Sequence, residues 1–349
     1  MVKEKRTYVV LRLSSLSNVA MLASVMARLS RAYPDDEFVV MALKPLADMF
    51  YGLPNVHYHE VNPDKESSCG VYGLYRQVMA YAPTRVFDLQ ADLRTRMLGW
   101  LLRWNKVPVS VLPSVRREQR ALIRMGTEHS APLLPEEERY AATFMMGGLE
   151  PKGERQLLPV NAEAVAKVQQ LFGTKNGRWV GIAPFAKHRS NILSYKTMKE
   201  VIAYYAGREN TKVFLFGAGY IKTEMLRQWA SLWDNVESVS NQLPLDGELE
   251  LMRLIDGLLC MDSANQHLGA LVGCRMLSIW CGTHPFMGSA AQCTTQMQIL
   301  SLPVSCRPCS VHGTNTCKYR NFACKALTAE MIIERFDKLL GNKEELWQE

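Results

Sequence analysis

Apolar positions along the chain follow two alternating rhythms. Residues 8–13 hold Tyr8, Val9, Val10, Leu11 and Leu13 as a strand-like run, and 19–33 then repeat apolar residues at three- and four-residue spacing, as a helix does. Pro34-Asp35-Asp36 stops that helix, and 37–43 reads as the next strand. Further short apolar runs stand at 56–58, 85–89 and 107–112, with helical patterns between them at 73–81 and 93–104. The rhythm returns in the second half. Strands are predicted at 179–183, 212–216, 257–261 and 275–280, and helices at 195–205, 222–232 and 248–255. An amphipathic helix over 329–340 follows. Such β-α-β order predicts parallel sheets covered on both faces. Gly147, Gly148, Pro151, Gly153 and Pro159 crowd one stretch, which is the predicted linker. The expected division is 1–155, 156–327 and a helix with its tail over 328–349. Two doubly wound domains facing each other would offer a ligand crevice at the carboxyl ends of their strands.

A chain of 349 residues is long enough for two cores of ordinary size. No apolar stretch approaches the roughly 18–20 residues of a membrane span. The start alternates as a strand where a signal peptide would carry a longer apolar core, which predicts a cytoplasmic protein. The net charge of +7 favours anionic partners without choosing among them. No nucleic-acid-binding signature accompanies it, so no nucleic-acid partner is expected. Cys69, Cys260, Cys274, Cys281 and Cys293 are scattered through apolar or mixed surroundings and read as reduced, mostly buried thiols.

Candidate chemistry concentrates after the predicted strand at 257–261. Asp262 or Ser263 is placed to cap the helix that follows, by accepting from its free first-turn amides. The same amides and the positive end of the helix dipole suit a diphosphate, and His267 stands one turn further in. An ordinary capped helix with a satisfied histidine explains these residues equally well. Gly217-Ala218-Gly219 after a strand invites a dinucleotide reading, but Lys222 occupies the place of the third glycine and no acid follows at the right strand end.

Asp262-Ser263-Ala264-Asn265-Gln266-His267, then a strand and Gly282-Thr283-His284-Pro285, resembles the Asp-Ser/Thr-Gly/Ala-x-x-His and Gly-x-Thr-x-Pro segments of glycosyltransferase family 9, the bacterial heptosyltransferases. Gly269 stands before Ala270 in the helix that follows. Residues 181–187 and 214–219 resemble the first two strand-loops of the same family's C-terminal domain. The resemblance implies a GT-B fold, an α/β architecture of two facing Rossmann-like domains. It implies a nucleotide-sugar donor such as ADP-heptose held by Asp262, Ser263, Ala264, His267, Glu224 and Thr283. It further implies an inverting reaction that needs no cofactor, and an anionic lipopolysaccharide-type acceptor.

The N-terminal motif departs from that family. Its pattern after the first strand, Arg-x-Ser/Gly-x-x-Gly-Asp, is here Arg12-Leu13-Ser14-Ser15-Leu16-Ser17-Asn18. The family's aspartate serves as general base, and an amide has no useful basicity near neutral pH. Asn18 therefore cannot take a proton. Asn191 stands where the family has a lysine against the leaving diphosphate; Lys187, His188 and Arg189 are the nearby cations, with Lys187 the candidate substitute. Asp88 and Asp92 are candidate replacement bases, and a capped helix start accounts for them as well. The two losses leave a second expectation open: a catalytically silent, sugar-nucleotide-binding or scaffold protein of the same fold.

Residues 93–104 are basic and aromatic, and Arg116, Arg120 and Arg124 follow at four-residue spacing on one predicted helix face. Ser17, Arg94, Arg120 and Arg124 are the candidate acceptor contacts, and the tryptophans suit a peripheral membrane interface. Cys306-Arg307-Pro308-Cys309, Cys317 and Cys324 have enough ligands for a structural zinc; a thiol-rich loop or a local disulfide also fits.

Overall fold

Strand β1 (Thr7–Leu11) opens a five-stranded parallel sheet and is followed by α1 (Leu16–Ala32), β2 (Glu37–Ala42), β3 (Val56–Glu60), α2 (Val71–Met79), β4 (Arg85–Asp88), α3 (Leu93–Trp104) and β5 (Val109–Val111). The order is β3-β2-β1-β4-β5, with Val10 of β1 level with Val40 on one side and Phe87 on the other. Helix α4 (Arg116–Met125) comes next, then α5 (Glu136–Met146) and α6 (Ala162–Phe172). A six-stranded parallel sheet is built from β6 (Arg178–Ala183), α7 (Tyr195–Ala206), β7 (Thr211–Leu215), α8 (Tyr220–Ala230), β8 (Val236–Ser238), α9 (Leu245–Leu254), β9 (Gly257–Met261), α10 (Ala264–Leu271), β10 (Met276–Ile279) and β11 (Met297–Leu300). Its order is β11-β10-β9-β6-β7-β8, and α11 (Ala329–Gly341) ends the described chain. The computed structural model describes residues 5–43, 46–61, 70–293 and 296–341. Cys69 and the tail beyond Gly341 lie outside the described residues.

The strands form where apolar runs have both faces to bury. In the first sheet Val9, Leu11, Val39, Met41 and Val86 face one way and pack with Leu74, Val78, Leu98 and Leu102 of α2 and α3. The alternate residues meet aromatic neighbours: Tyr8 stacks on Phe38 at 5.5 Å, and Phe87 meets Phe144 of α5 at 4.5 Å. Gly147 ends α5 against that ring, where a Cβ would come within 2.3 Å of Phe87. The second sheet buries Val180, Ile182, Val213, Leu215, Leu259, Met261, Leu277 and Ile279 in one core with α7, α8 and α11.

Two units result, Met1–Val115 with Leu134–Pro159, and Arg116–Leu133 with Val160–Glu349. The main division thus falls at 159/160 where the sequence places it at 155/156, and α4 groups with the second unit. The terminal helix is no separate element either. Ile332, Phe336, Leu339 and Leu340 sit in the second core, and Asp337 accepts from Tyr204 (2.7 Å), Tyr205 (3.0 Å) and Arg208 (3.0 Å). Among the described residues no helix is long and apolar enough to cross a membrane.

Candidate functional site

In each sheet the strand order reverses beside the first strand of that unit, between β1 and β4 and between β6 and β9. Loops at the carboxyl ends of such neighbouring strands diverge and leave room for a ligand. The second unit uses this place fully. Asp262 leaves the end of β9, and its carboxylate accepts from Asn191 Nδ2 at 3.1 Å, Thr283 Oγ1 at 2.5 Å and Gln266 Nε2 at 3.0 Å. Three loops, after β6, β9 and β10, are tied by that one side chain. Burial pushes the Asp262 carboxyl up to about 6, against the opposing pull of Thr283, Gln266 and Arg307.

The surrounding loops are held by backbone. Arg307 donates to the carbonyl of Thr283 through Nε at 3.1 Å and through a terminal nitrogen at 2.8 Å. Gly282 donates to the carbonyl of Ser190 at 3.0 Å, and a Cβ on Gly282 would meet the Ser190 Cβ at 2.8 Å. This close approach is the physical reason for glycine at 282. His284 accepts from the Phe286 amide at 3.2 Å through Nδ1, and burial with the nearby Arg307 lowers its pKa to about 4. The imidazole is therefore neutral near pH 7.

Ser263 is the N-cap residue of α10, yet its side chain makes no capping bond. The sequence expectation of a side-chain cap is corrected here, for Asp262 is turned instead toward Asn191, Thr283 and Gln266. Helix α10 thus begins without an N-cap side chain on its first-turn amides, which include that of Ala264. His267 is buried one turn in. Lys187 is exposed in the loop after β6. Lys222, read in the sequence only as a missing glycine, returns from the first turn of α8 to donate to the carbonyl of Ala186 at 2.8 Å. Burial lowers the pKa of His188, and the charges of Lys187 and Lys222 lower it further. Glu224 is exposed on the same helix, where no contact ties it to the Asp262 knot.

The corresponding place in the first unit is organised around Gln90. Its Oε1 accepts from Arg12 at 3.0 Å and from the Ser14 amide at 3.4 Å, while its Nε2 donates to Asp92 at 3.2 Å. Helix α1 starts at Leu16, three residues before its predicted start, so Ser17 and Asn18 lie in its first turn. Asn18 Nδ2 donates to the carbonyl of Ser14 at 3.4 Å. Both candidate replacement bases are engaged locally. Asp88 is fully buried and accepts from the amides of Gln90 (3.1 Å) and Ala91 (2.8 Å), and burial raises its pKa. Asp92 caps α3 by accepting from the Thr95 amide at 3.0 Å.

The acceptor candidates divide between the units. Ser17 and Arg94 belong to the first, and Arg120 and Arg124, exposed on α4, to the second. Of the scattered cysteines, Cys260, Cys274 and Cys281 are buried and Cys293 is half-buried. In the C-terminal loop, Cys309 Sγ lies 3.2 Å from the carbonyl of Cys306 and Cys317 Sγ lies 3.8 Å from Asn321 Oδ1. Burial pushes the Cys309 thiol up to about 11. Among the described residues no three of His, Cys, Asp and Glu are grouped to hold a metal ion. A surface cavity lined by Phe172, Trp179, Lys212 and Asn235 lies at the opposite, amino-terminal ends of β6 and β7 and is separate from this site.

No family model matches the sequence, and no curated protein matches it. Solved structures do. A glycosyltransferase family 9 protein of Veillonella parvula is similar at a TM-score of 0.75 and 17% identity, over 97% of this chain and 98% of that one. E. coli ADP-heptose lps heptosyltransferase II gives 0.69 and 15%, over 96% and 98%. E. coli heptosyltransferase WaaC with ADP gives 0.64 and 14%, over 95% and 99%. Nearly the whole length of each is matched, both sheets included. The chain therefore has the α/β fold of the glycosyltransferase family 9 heptosyltransferases, the fold its Asp-Ser-Ala-x-x-His segment predicts.

Proposed function

We propose that the chain is a glycosyltransferase that moves a heptose-like sugar from an ADP-sugar to an anionic lipopolysaccharide-type acceptor with inversion. The observation that carries this reading is the Asp262 knot, which ties three loops around the start of α10 while leaving that helix without a side-chain cap. In this reading the amides of Ser263 and Ala264 and the imidazole of His267 take the diphosphate, with Lys187 as the nearby cation. Thr283 and Asp262 hold the loops in place, and Glu224 addresses the nucleoside. Preset donors of this kind stabilise a departing diphosphate without reorganising during the reaction. E. coli heptosyltransferase WaaC, similar in fold, is known with ADP and with ADP-2-deoxy-2-fluoro heptose, which supports the choice of donor. Ser17, Arg94, Arg120 and Arg124 are the proposed acceptor contacts. Catalysis in this scheme needs no cofactor. A structural zinc on Cys306, Cys309, Cys317 and Cys324 is a separate proposal, which requires those thiols to leave their present neighbours; metal analysis of the native protein decides it.

Calorimetric titration with ADP-heptose, and with ADP for comparison, tests the donor site. Saturable binding that is lost in His267→Ala is the expected result, and no binding to either ligand overturns the reading. A specific observation keeps a second reading alive: Asn18 lacks a proton-accepting oxygen of useful basicity, and Asp88 and Asp92 are engaged in their own turn and cap. A catalytically silent, sugar-nucleotide-binding protein has this pattern. Turnover with a heptose acceptor in the wild type excludes that alternative, whereas turnover confined to Asn18→Asp establishes it.

A further inference from the structure

Helix α3 carries an apolar stripe on the side that does not face the core. Thr95, Leu98, Gly99 and Leu102 are buried, and Leu98 and Leu102 join the core of the first unit. Leu93, Met97, Trp100 and Trp104 recur at intervals of four, three and four residues, so they line the opposite face of the same helix. All four are exposed, Trp100 by 76% and Trp104 by 89%. Leu101 widens the stripe on one side. A helix buried along one face ordinarily turns polar residues to solvent on the other, so a second apolar stripe with two tryptophans calls for a partner.

The flanking charges identify the partner. Arg96 and Arg103 border the stripe on one side and Arg94 on the other, with Lys106 just beyond the helix. Between Asp92 and Val115 the chain holds these four basic residues and no acidic one. A second copy of the chain would bring the same positive rim against itself. We infer that this face of α3 docks on an anionic lipid bilayer, with Leu93, Met97, Trp100 and Trp104 entering the headgroup region and the basic rim meeting lipid phosphates. Tryptophan suits that depth because its ring is apolar and its indole N–H still reaches a polar partner. Apolar insertion and the attraction of basic residues to anionic lipid act together at such surfaces. The inference rests on the exposed side chains of α3 and not on the donor reading.

Vesicle flotation with the full chain tests it, using phosphatidylcholine alone or mixed with phosphatidylglycerol. Neither lipid carries a sugar acceptor, so a failed donor assay leaves this result standing. Retention on the mixed vesicles is expected to be roughly tenfold or more above that on phosphatidylcholine, and to fall with added salt. The double variant Trp100→Ser, Trp104→Ser should lose at least roughly tenfold in retention. Arg96→Gln with Arg103→Gln should weaken retention on mixed vesicles and leave the weak neutral-lipid background unchanged. Circular dichroism on each variant checks that the fold is intact, which the exposure of these side chains leads one to expect. Equal retention of the tryptophan variant and the wild type overturns the inference. So does a dimer in solution that the same variant dissociates, since the stripe would then be covered by a second copy.

Discussion

At the carboxyl ends of β4 and β9, strands of equivalent place in their two sheets, stand Asp88 and Asp262. Asp88 accepts from amides two and three residues further along its own loop. Asp262 accepts from Asn191 and Thr283, which arrive on loops after two other strands, and from Gln266 one turn away. Burial raises the pKa of both. The difference lies in what each carboxylate fixes. A carboxylate held through one oxygen by its own turn shapes that turn. One shared among three loops sets their positions relative to one another, and a ligand bound against those loops finds them already arranged.

The sharpest way to break this contrast is Asp262→Ala, which leaves the donors of Thr283 and Gln266 without their acceptor and Asn191 with the carbonyl of His312 alone. Thermal or urea melts should show a loss of about 3 kcal/mol, because unsatisfied buried groups carry their full desolvation cost. ADP affinity should fall with it. Gly282→Ala should come second, at about 2 kcal/mol, since its Cβ would push on Ser190 and the adjoining Asn191. The same melts followed by ADP titration separate lost stability from a displaced loop.

Acidity gives the next test. The folded-state pKa of Asp262 stands near 6, above its ordinary value of 3.8, so the folded protein keeps this proton to higher pH than the unfolded chain. The resulting penalty is absent below pH of about 4, grows as pH rises, and is complete above about 6, amounting to about 3 kcal/mol. Wild type minus Asp262→Asn isolates this slope from those of other buried acids; parallel profiles in the two proteins would show that Asp262 titrates normally. Asp88→Asn should have the smallest effect, within about 1 kcal/mol, because an amide oxygen can still accept from the same two backbone groups. Unchanged ADP binding in this variant is the matching expectation. A loss like that of Asp262→Ala would erase the distinction between the two aspartates.

Legibility in the sequence follows the same division between local and remote. The strand at Gly257–Met261 and the helix at Leu93–Trp104 have the bounds predicted for them, because an unbroken apolar run and a capping aspartate mark their ends. Strands β8 and β11 escape notice: one has three residues, and the other, Met297–Leu300, is an edge strand with mixed side chains. Helix α5 is missed because its first turn, Glu136-Glu137-Glu138, hides the apolar period that Tyr140, Ala141 and Phe144 carry later. Within the candidate site, Asp262 and Ser263 are found from their place after a strand. What Asp262 binds is not readable from spacing. Asn191, met in the sequence as the loss of a lysine, donates to Asp262 across 71 positions of chain. Lys222 likewise gains its meaning only when the fold brings its ammonium to Ala186.

The grouping of Arg116–Leu133 with the second unit bears on how the protein is made. The amide of Leu133 donates at 2.8 Å to the carbonyl of Phe286, which leaves the ribosome about 150 residues later. At ordinary rates of synthesis that delay is roughly 8–30 s. The first unit can gather its sheet during translation, while this arginine-rich segment waits for a partner not yet made. A nascent chain arrested once residue 159 has cleared the ribosomal exit tunnel should therefore protect the first sheet from protease and still be cut within 116–133.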